Sequence, residues 1–270
     1  LKGLGYTVPL AIKSYKLQAI SYKLKWFHGL HDLAALHPRG FMEWGKEDAI
    51  RKPVFPVRLY RAASRRLFGS PDVIIAPSQF VLDEYNRAEF FPKSKKVVVR
   101  NPVGHTLSPS PVLSDILSRG ERSTNSIPSP QGRGEGQEMR FLYVGQLEPY
   151  KGLRVLLEAW RKFVPSHPEA CLEIIGAGSM DKEIQRATKM IRALVYRGFV
   201  PHGELPEIMK GARATVFPSL AYETFGLAIV ESFSARVPVV ASRIGAVPEI
   251  IEDGVNGILF TPGDTDGLVQ

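Results

Sequence analysis

Two glutamates with seven residues between them, Glu223 and Glu231, bracket the only glycine in the run YETFGLAIVESF. Ionised carboxylates accept hydrogen bonds and suit sugar hydroxyls. The backbone N–H groups of Thr224, Phe225, Gly226 and Leu227 open a helix between them. A helix N-terminus carries the positive end of the macrodipole, and a neighbouring glycine lets a ligand come close, so this turn suits a diphosphate. Glu223 in the loop reaches one side of such a group, and Glu231 on the helix reaches the other. One carboxylate for a transferred sugar and one for a ribose, with the diphosphate between, would account for the spacing. Taken alone, the pair also fits a solvated helix face.

Neighbouring motifs bear on that choice. In GQLEPYKG (145–152), Lys151 precedes a glycine at a helix start, where an ammonium can neutralise a phosphate. A solvated lysine would look the same. GAGS (176–179) follows a strand and predicts close approach of a ligand. Gly245, Gly254 and Gly257 are read as turns.

These residues need a scaffold of alternating strands and helices. RFLYVG, ACLEIIGAG, VYRGFV, ATVFPS, VPVVAS and NGILFT read as strands. GLRVLLEAWRKFV repeats apolar residues at helical spacing, and MDKEIQRATKMIRAL, ELPEIMKGA and GLAIVESFSA also read as helices. That alternation predicts a parallel, doubly wound sheet with ligands at the carboxyl ends of its strands. The first half repeats the pattern in pieces: PDVIIAPS is a strand, Ser78 caps the helix QFVLDEYNRAEF, and KKVVVRNPV is a strand and turn. Residues 107–139, rich in Ser, Pro, Gly and Arg, read as a disordered linker or insertion.

The chain has 270 residues, 44% of them apolar, which allows one large domain or two medium ones. No apolar run approaches the roughly 18 residues of a spanning helix, and no secretory start is visible. The single cysteine, Cys171, lies in a strand and excludes a disulfide framework, which suits the cytosol. Residues 1–139 hold 21 Lys and Arg against 12 Asp and Glu, while residues 140–270 hold 14 against 15. Within the basic half, PVRLYRAASRRLFG (56–69) places Arg58, Arg61 and Arg65 at helical spacing with Arg66 adjacent. Leu59, Ala63 and Leu67 form an apolar stripe beside them. Such a helix can lie on an anionic membrane, or pack its stripe inward with all its arginines solvated. Nucleic acid is not expected, because the basic residues are dispersed and no recognition motif is present.

The run from FLYVGQLEPYKG through VFPSLAYETFGLAIVESFSARVPVVASRIGAVPEIIEDGVNGILFTPGD resembles the donor domain of the retaining glycosyltransferases of family four, with Glu223 and Glu231 as that family's E-x7-E pair. HDLAALHPRG, PDVIIAPSQF and VVVRNPV resemble its acceptor domain. The resemblance implies an α/β, GT-B-like fold of two doubly wound Rossmann-like parallel-sheet domains, the N-terminal one incomplete. Residues 1–106 would be a partial acceptor-side domain, and residues 140–270 a nucleotide-sugar donor domain lacking its last helices. Lys151, with Gly145 and Gln146 beside it and the amides of Phe225, Gly226 and Leu227, would hold the diphosphate. Glu231 would hold the ribose, Glu223 the transferred sugar, and the backbone near Val200 the nucleobase. His31 would lie near the reacting sugar. The donor would be a nucleotide-sugar and the acceptor a glycan, lipid-linked or small molecule. No metal or other cofactor is implied. The location would be cytoplasmic, with peripheral attachment to the inner membrane face.

Three departures stand out. Gln146 occupies a position where the family often has arginine, which removes a charge. Arg236 replaces a glycine after the E-x7-E helix, where positive φ is expected at a cost of about 1 kcal/mol. The first strands, the glycine-rich acceptor loop and the closing helices are absent from the sequence, which begins at Leu1 and stops at Gln270 in an opening helix. Two alternatives remain: a non-catalytic fragment with a weak nucleotide-binding fold, and a sugar-nucleotide epimerase of the same architecture.

Overall fold

The computed structural model describes residues 27–100 and 139–270. The expected linker, apart from Met139, lies outside the described residues, as do Lys23 and Lys25, which interrupt the run YKLKWFHGLHD unlike a buried parallel strand. The chain divides into two units. One comprises Leu1–Asn101 with Tyr222–Phe225, and the other Pro102–Ala221 with Gly226–Gln270.

In the first unit, strands β1 (Phe27–Gly29), β2 (Val73–Ala76) and β3 (Lys95–Val98) form a parallel sheet in that order. Three helices are described there: α1 (Asp48–Arg51), α2 (Phe55–Phe68) and α3 (Gln79–Arg87). Ser78 caps α3 as its sequence position predicts, its hydroxyl accepting from the Val81 amide at 3.3 Å. Leu33, Leu36, Met42, Ile74, Val81, Tyr85, Phe90 and Phe91 make the core.

Helix α2 departs from its expected amphipathicity. Arg61 is buried rather than solvated: its Nε donates to the Leu36 carbonyl at 2.7 Å, and a second guanidinium nitrogen donates to the Ile50 carbonyl. Leu59, on the apolar stripe, is 62% exposed, so the stripe is not packed inward there. The reason is accounting of polar groups. A planar guanidinium can satisfy several loop carbonyls at once while its stem stays apolar. Burial lowers the Arg61 pKa, and the neighbouring Arg65 charge lowers it further.

The second unit has six parallel strands: β4 (Met139–Val144), β5 (Ala170–Ile175), β6 (Leu194–Gly198), β7 (Ala214–Phe217), β8 (Val239–Ser242) and β9 (Gly257–Phe260). Their spatial order is β6-β5-β4-β7-β8-β9. Helices α4 (Leu153–Phe163), α5 (Asp181–Met190), α6 (Leu205–Met209), α7 (Leu227–Ser234) and α8 (Thr265–Val269) connect or follow them. Helix α4 buries Leu153, Leu156, Leu157 and Trp160, the face its periodicity marks. Burying side chains of this size contributes about 1.5–3 kcal/mol each. Helix α5 stops four residues sooner than its sequence suggests. Ile191 is already extended, Ala193 has φ +54°, and Leu194 begins β6.

Strand β5 is buried along its whole length, including Cys171 and Glu173. The Glu173 carboxylate accepts from the Arg197 Nε and a terminal nitrogen at 2.7 and 3.2 Å, and Arg140 stands 3.7 Å away. Strand β4 has β5 on one side and β7 on the other, and the chain leaves it in opposite directions. That is a topological switch point, and a crevice opens at the carboxyl ends of such strands.

Candidate functional site

The loops leaving β4 and β7 meet at this switch point. Residues Pro149–Lys151 form a 3-10 turn, and Gly152 follows with φ +74° as the N-cap of α4. A Cβ at Gly152 would fall 1.8 Å from the Pro218 carbonyl oxygen, so only glycine lets the two loops touch. The Tyr150 carbonyl accepts from the Leu220 and Ala221 amides at 2.9 and 3.0 Å. Lys151 is therefore carried on a turn braced by the loop after β7. Its Nζ lies 5.7 Å from the Tyr150 ring centroid. Gly145 and Gln146 lie just beyond β4. The Gln146 carbonyl accepts from the Tyr143 hydroxyl at 2.7 Å, and its side-chain oxygen accepts from the Tyr150 hydroxyl at 3.1 Å.

The glycines of GAGS also have a packing role. A Cβ at Gly176 would stand 1.8 Å from the Gly145 carbonyl oxygen, and one at Gly178 would stand 2.4 Å from that of Leu147. The close approach these two positions require is to backbone. Glu148 adds a tie by accepting from the Ser179 amide at 3.0 Å and the Ser179 hydroxyl at 2.6 Å.

Gly226, with φ +93°, opens α7, and no side chain caps this end. The first N–H groups of a helix have no intrahelical acceptor, so this terminus presents donors and the positive end of a dipole. Leu227 is exposed, and Glu231 lies half-buried in the next turn. Burial raises the Glu231 pKa, while His202 acts in the opposite direction. The His202 Nδ1 is 3.8 Å from the Glu231 carboxylate. Sequence reasoning missed His202. Its signal was a histidine just past a strand end in FVPHGE. Val200, between β6 and His202, packs against the cluster of Leu142, Val144, Ile175 and Leu205. Gly145, Gln146, Lys151, Val200, Gly226, Leu227 and Glu231 thus all follow the carboxyl ends of β4, β6 and β7.

The other candidates fall in the first unit. His31 is exposed just after β1, and Asp32 turns that segment by accepting from the Ala34 amide at 2.8 Å. Tyr222–Phe225 groups with this unit although the residues on either side group with the other, so Glu223 and Glu231 belong to different units. The Thr224 carbonyl accepts from the Ser78 hydroxyl at 2.7 Å, and Phe225 is buried. Glu223 is partly exposed between them. Among the described residues, no group of three or more His, Cys, Asp and Glu side chains could hold a metal ion, and no helix is long and apolar enough to cross a membrane.

Comparison with known proteins agrees with this geometry. Residues 138–270 match the family model described as Glycosyl transferases group 1. The O-antigen chain mannosyltransferase B of Escherichia coli is 36% identical over 136 residues, covering 47% of this chain and 34% of that protein. The D-inositol 3-phosphate glycosyltransferase of Acidothermus cellulolyticus is 32% identical over 214 residues, covering 74% of this chain and 46% of that protein. The chain thus spans between a third and a half of the length of these relatives. A crystal structure of Anabaena Alr3699/HepE in complex with UDP superposes with a TM-score of 0.65 at 22% identity, over 97% of this chain and 65% of that one. The fold is therefore α/β and of the GT-B kind.

Proposed function

Through residues 138–270 the chain belongs to the group 1 glycosyl transferases, and from that premise we propose that it moves a sugar from a nucleotide-sugar donor to an acceptor with retention of anomeric configuration. The observation that carries this reading is the meeting of the loops after β4 and β7 at the switch point. These loops carry an ammonium on a braced turn and a helix N-terminus opened by glycine, with a half-buried carboxylate one turn further on. Lys151 and the amides at Phe225, Gly226 and Leu227 would receive the diphosphate, with Gln146 and Gly145 beside it. Glu231 would accept from the ribose hydroxyls, and the backbone near Val200 would meet the base. Glu223 and His31 would serve the transferred sugar. In the transfer, the bond from the anomeric carbon to the diphosphate oxygen breaks as the acceptor oxygen bonds to the same face. The acceptor proton passes to the leaving diphosphate. Fixed dipoles and the Lys151 charge stabilise that leaving group without a metal. The UDP complex of the Anabaena neighbour supports a nucleoside diphosphate as the first probe.

Calorimetric titration with UDP, GDP and ADP, beside a transfer assay with their sugars, tests the proposal. Lys151→Ala should weaken diphosphate binding. Glu223→Ala should lower turnover at least tenfold, about 1.4 kcal/mol of barrier, with the fold intact. Binding without turnover in the wild type would favour the non-catalytic reading. Conversion of the donor sugar without transfer would favour the epimerase. Binding of none of the three nucleotides would overturn the site assignment.

Helix α2 supports an anionic membrane surface as a partner, in a form corrected from the sequence. Val54, Phe55 and Leu59 are 68%, 77% and 62% exposed, and Arg58, Arg65 and Arg66 are exposed with them, whereas Arg61 faces inward. Exposed apolar residues among arginines suit an acidic interface, with roughly 1 kcal/mol for each basic residue. Vesicles containing anionic lipid should sediment the protein at low salt, and Phe55→Ser with Leu59→Ser should release it. A wild-type protein left in the supernatant refutes the contact.

A further inference from the structure

Tyr222, next to Glu223, is fixed on four sides within the first unit. Its amide donates to the Met42 carbonyl at 2.8 Å. Its hydroxyl donates to the Glu47 carboxylate at 2.9 Å. Its ring stacks on Phe80 with centroids 5.6 Å apart and planes 19° from parallel, and on Trp44 at 6.3 Å and 25°. The Arg51 guanidinium stands 6.0 Å from the ring centroid. On the far side of Glu223, the Thr224 carbonyl receives the Ser78 hydroxyl. We propose that Tyr222 is a positioning residue for Glu223: with Trp44, Glu47 and Phe80 it forms an aromatic and hydrogen-bonded clasp that sets the backbone carrying the carboxylate.

The chemistry of the clasp fits that task. Stacked rings fix direction as well as distance, and the hydroxyl bond to a carboxylate adds a charge-assisted anchor. Burial, with the bond to Glu47, pushes the Tyr222 pKa up to about 12, so the hydroxyl remains a donor across the working range of pH. Glu47 is itself oriented by accepting from the Gly45 amide at 2.9 Å. Holding a reacting group in place contributes to turnover rather than to donor affinity. Lys151, Gly226, Leu227 and Glu231 sit in the other unit, and of the proposed diphosphate donors only the Phe225 amide belongs to the clasped segment, so loosening the clasp should lower kcat far more than diphosphate affinity.

The inference rests on the proposed role of Glu223 in transfer, so the test has one arm independent of that role. Hydrogen exchange is followed at the 222–225 amides in the full chain, for wild type, Tyr222→Phe, Tyr222→Ala and Trp44→Ala. UDP affinity and kcat with the best donor sugar are measured on the same proteins. Tyr222→Ala should speed exchange at these amides at least tenfold and lower kcat at least tenfold, with UDP affinity within threefold of wild type. Tyr222→Phe, which keeps the stack, should recover most of kcat. Unchanged exchange in Tyr222→Ala would overturn the clasp, as would UDP affinity falling in step with kcat. Altered exchange in a protein that turns over no donor would uphold the clasp as a fixture of the backbone and would sink the functional reading instead.

Discussion

Replacing Arg236 with glycine should stabilise the second unit. Arg236 has φ +61°, one of four non-glycine residues with positive φ among those described. It follows the C-cap of α7, Ala235, in a complete Schellman arrangement: its amide donates to the Phe233 carbonyl at 2.9 Å, and the Val237 amide donates to the Ser232 carbonyl at 2.9 Å. A side chain in this left-handed conformation costs about 1–2 kcal/mol. Glycine removes that strain but loses roughly 0.5–1 kcal/mol of backbone entropy on folding. The guanidinium also gives up a few tenths of a kcal/mol at the helix C-terminus. The net gain expected for Arg236→Gly is about 0.5 kcal/mol, or roughly 1–2 °C in the midpoint of a unit this size. Scanning calorimetry reads the shift. Arg236→Ala is the control, since it loses the same charge but keeps the Cβ, and it should gain nothing. Equal stabilisation by alanine would refute backbone strain as the cause and would place the cost in the side chain.

Three other outcomes follow from named contacts. Glu173→Ala removes the carboxylate partner of the 40%-exposed Arg197, while Arg140 keeps the Ile208 and Lys210 carbonyls, so it should cost about 1–2 kcal/mol as read by urea unfolding. Gly152→Ala drives a Cβ into the Pro218 carbonyl and should cost about 3 kcal/mol or more, whereas Gly203→Ala, which meets nothing within 4 Å, should stay within about 0.5 kcal/mol of wild type. His28 and His37 are both held below the usual pKa of 6.5, by burial first and then by His31 for His28 and by Arg39 and Arg61 for His37. The folded state therefore binds fewer protons than the unfolded chain just below pH 6.5. Stability should be full above that value and fall as pH drops through the lowered pKa values, by up to about 1.4 kcal/mol per unit for each proton. Replacing both histidines with asparagine should flatten the urea midpoint between pH 7.5 and pH 5.

Local pattern made most of the second unit legible. Leu153, Leu156, Leu157 and Trp160 repeat at the helical period and are buried together, and the strands end where glycine and proline interrupt them. Arg236 was readable as a strained cap because helix termination is a local rule. Non-local requirements were hidden. Arg61 looks like a solvated cation until the carbonyls of Leu36 and Ile50 converge on it. Nor does the sequence show that the GAGS glycines are needed where the Gly145 and Leu147 carbonyls come against them. Tyr222 carries no sequence signal and His202 only its place past a strand end, because their partners come from distant parts of the chain.

The assignment of Tyr222–Phe225 to the first unit also has a consequence for the order of synthesis. The bond from Ser78 to Thr224 joins residues 146 apart. At roughly 5–20 residues per second, the ribosome takes about 7–30 s to make the segment between them. Through that interval the nascent first unit holds its Phe80 and Trp44 rings without the tyrosine that will stack on them. Those rings are a transient sticky surface, and the unit that emerges earlier is completed only by residues translated well after the rest of it.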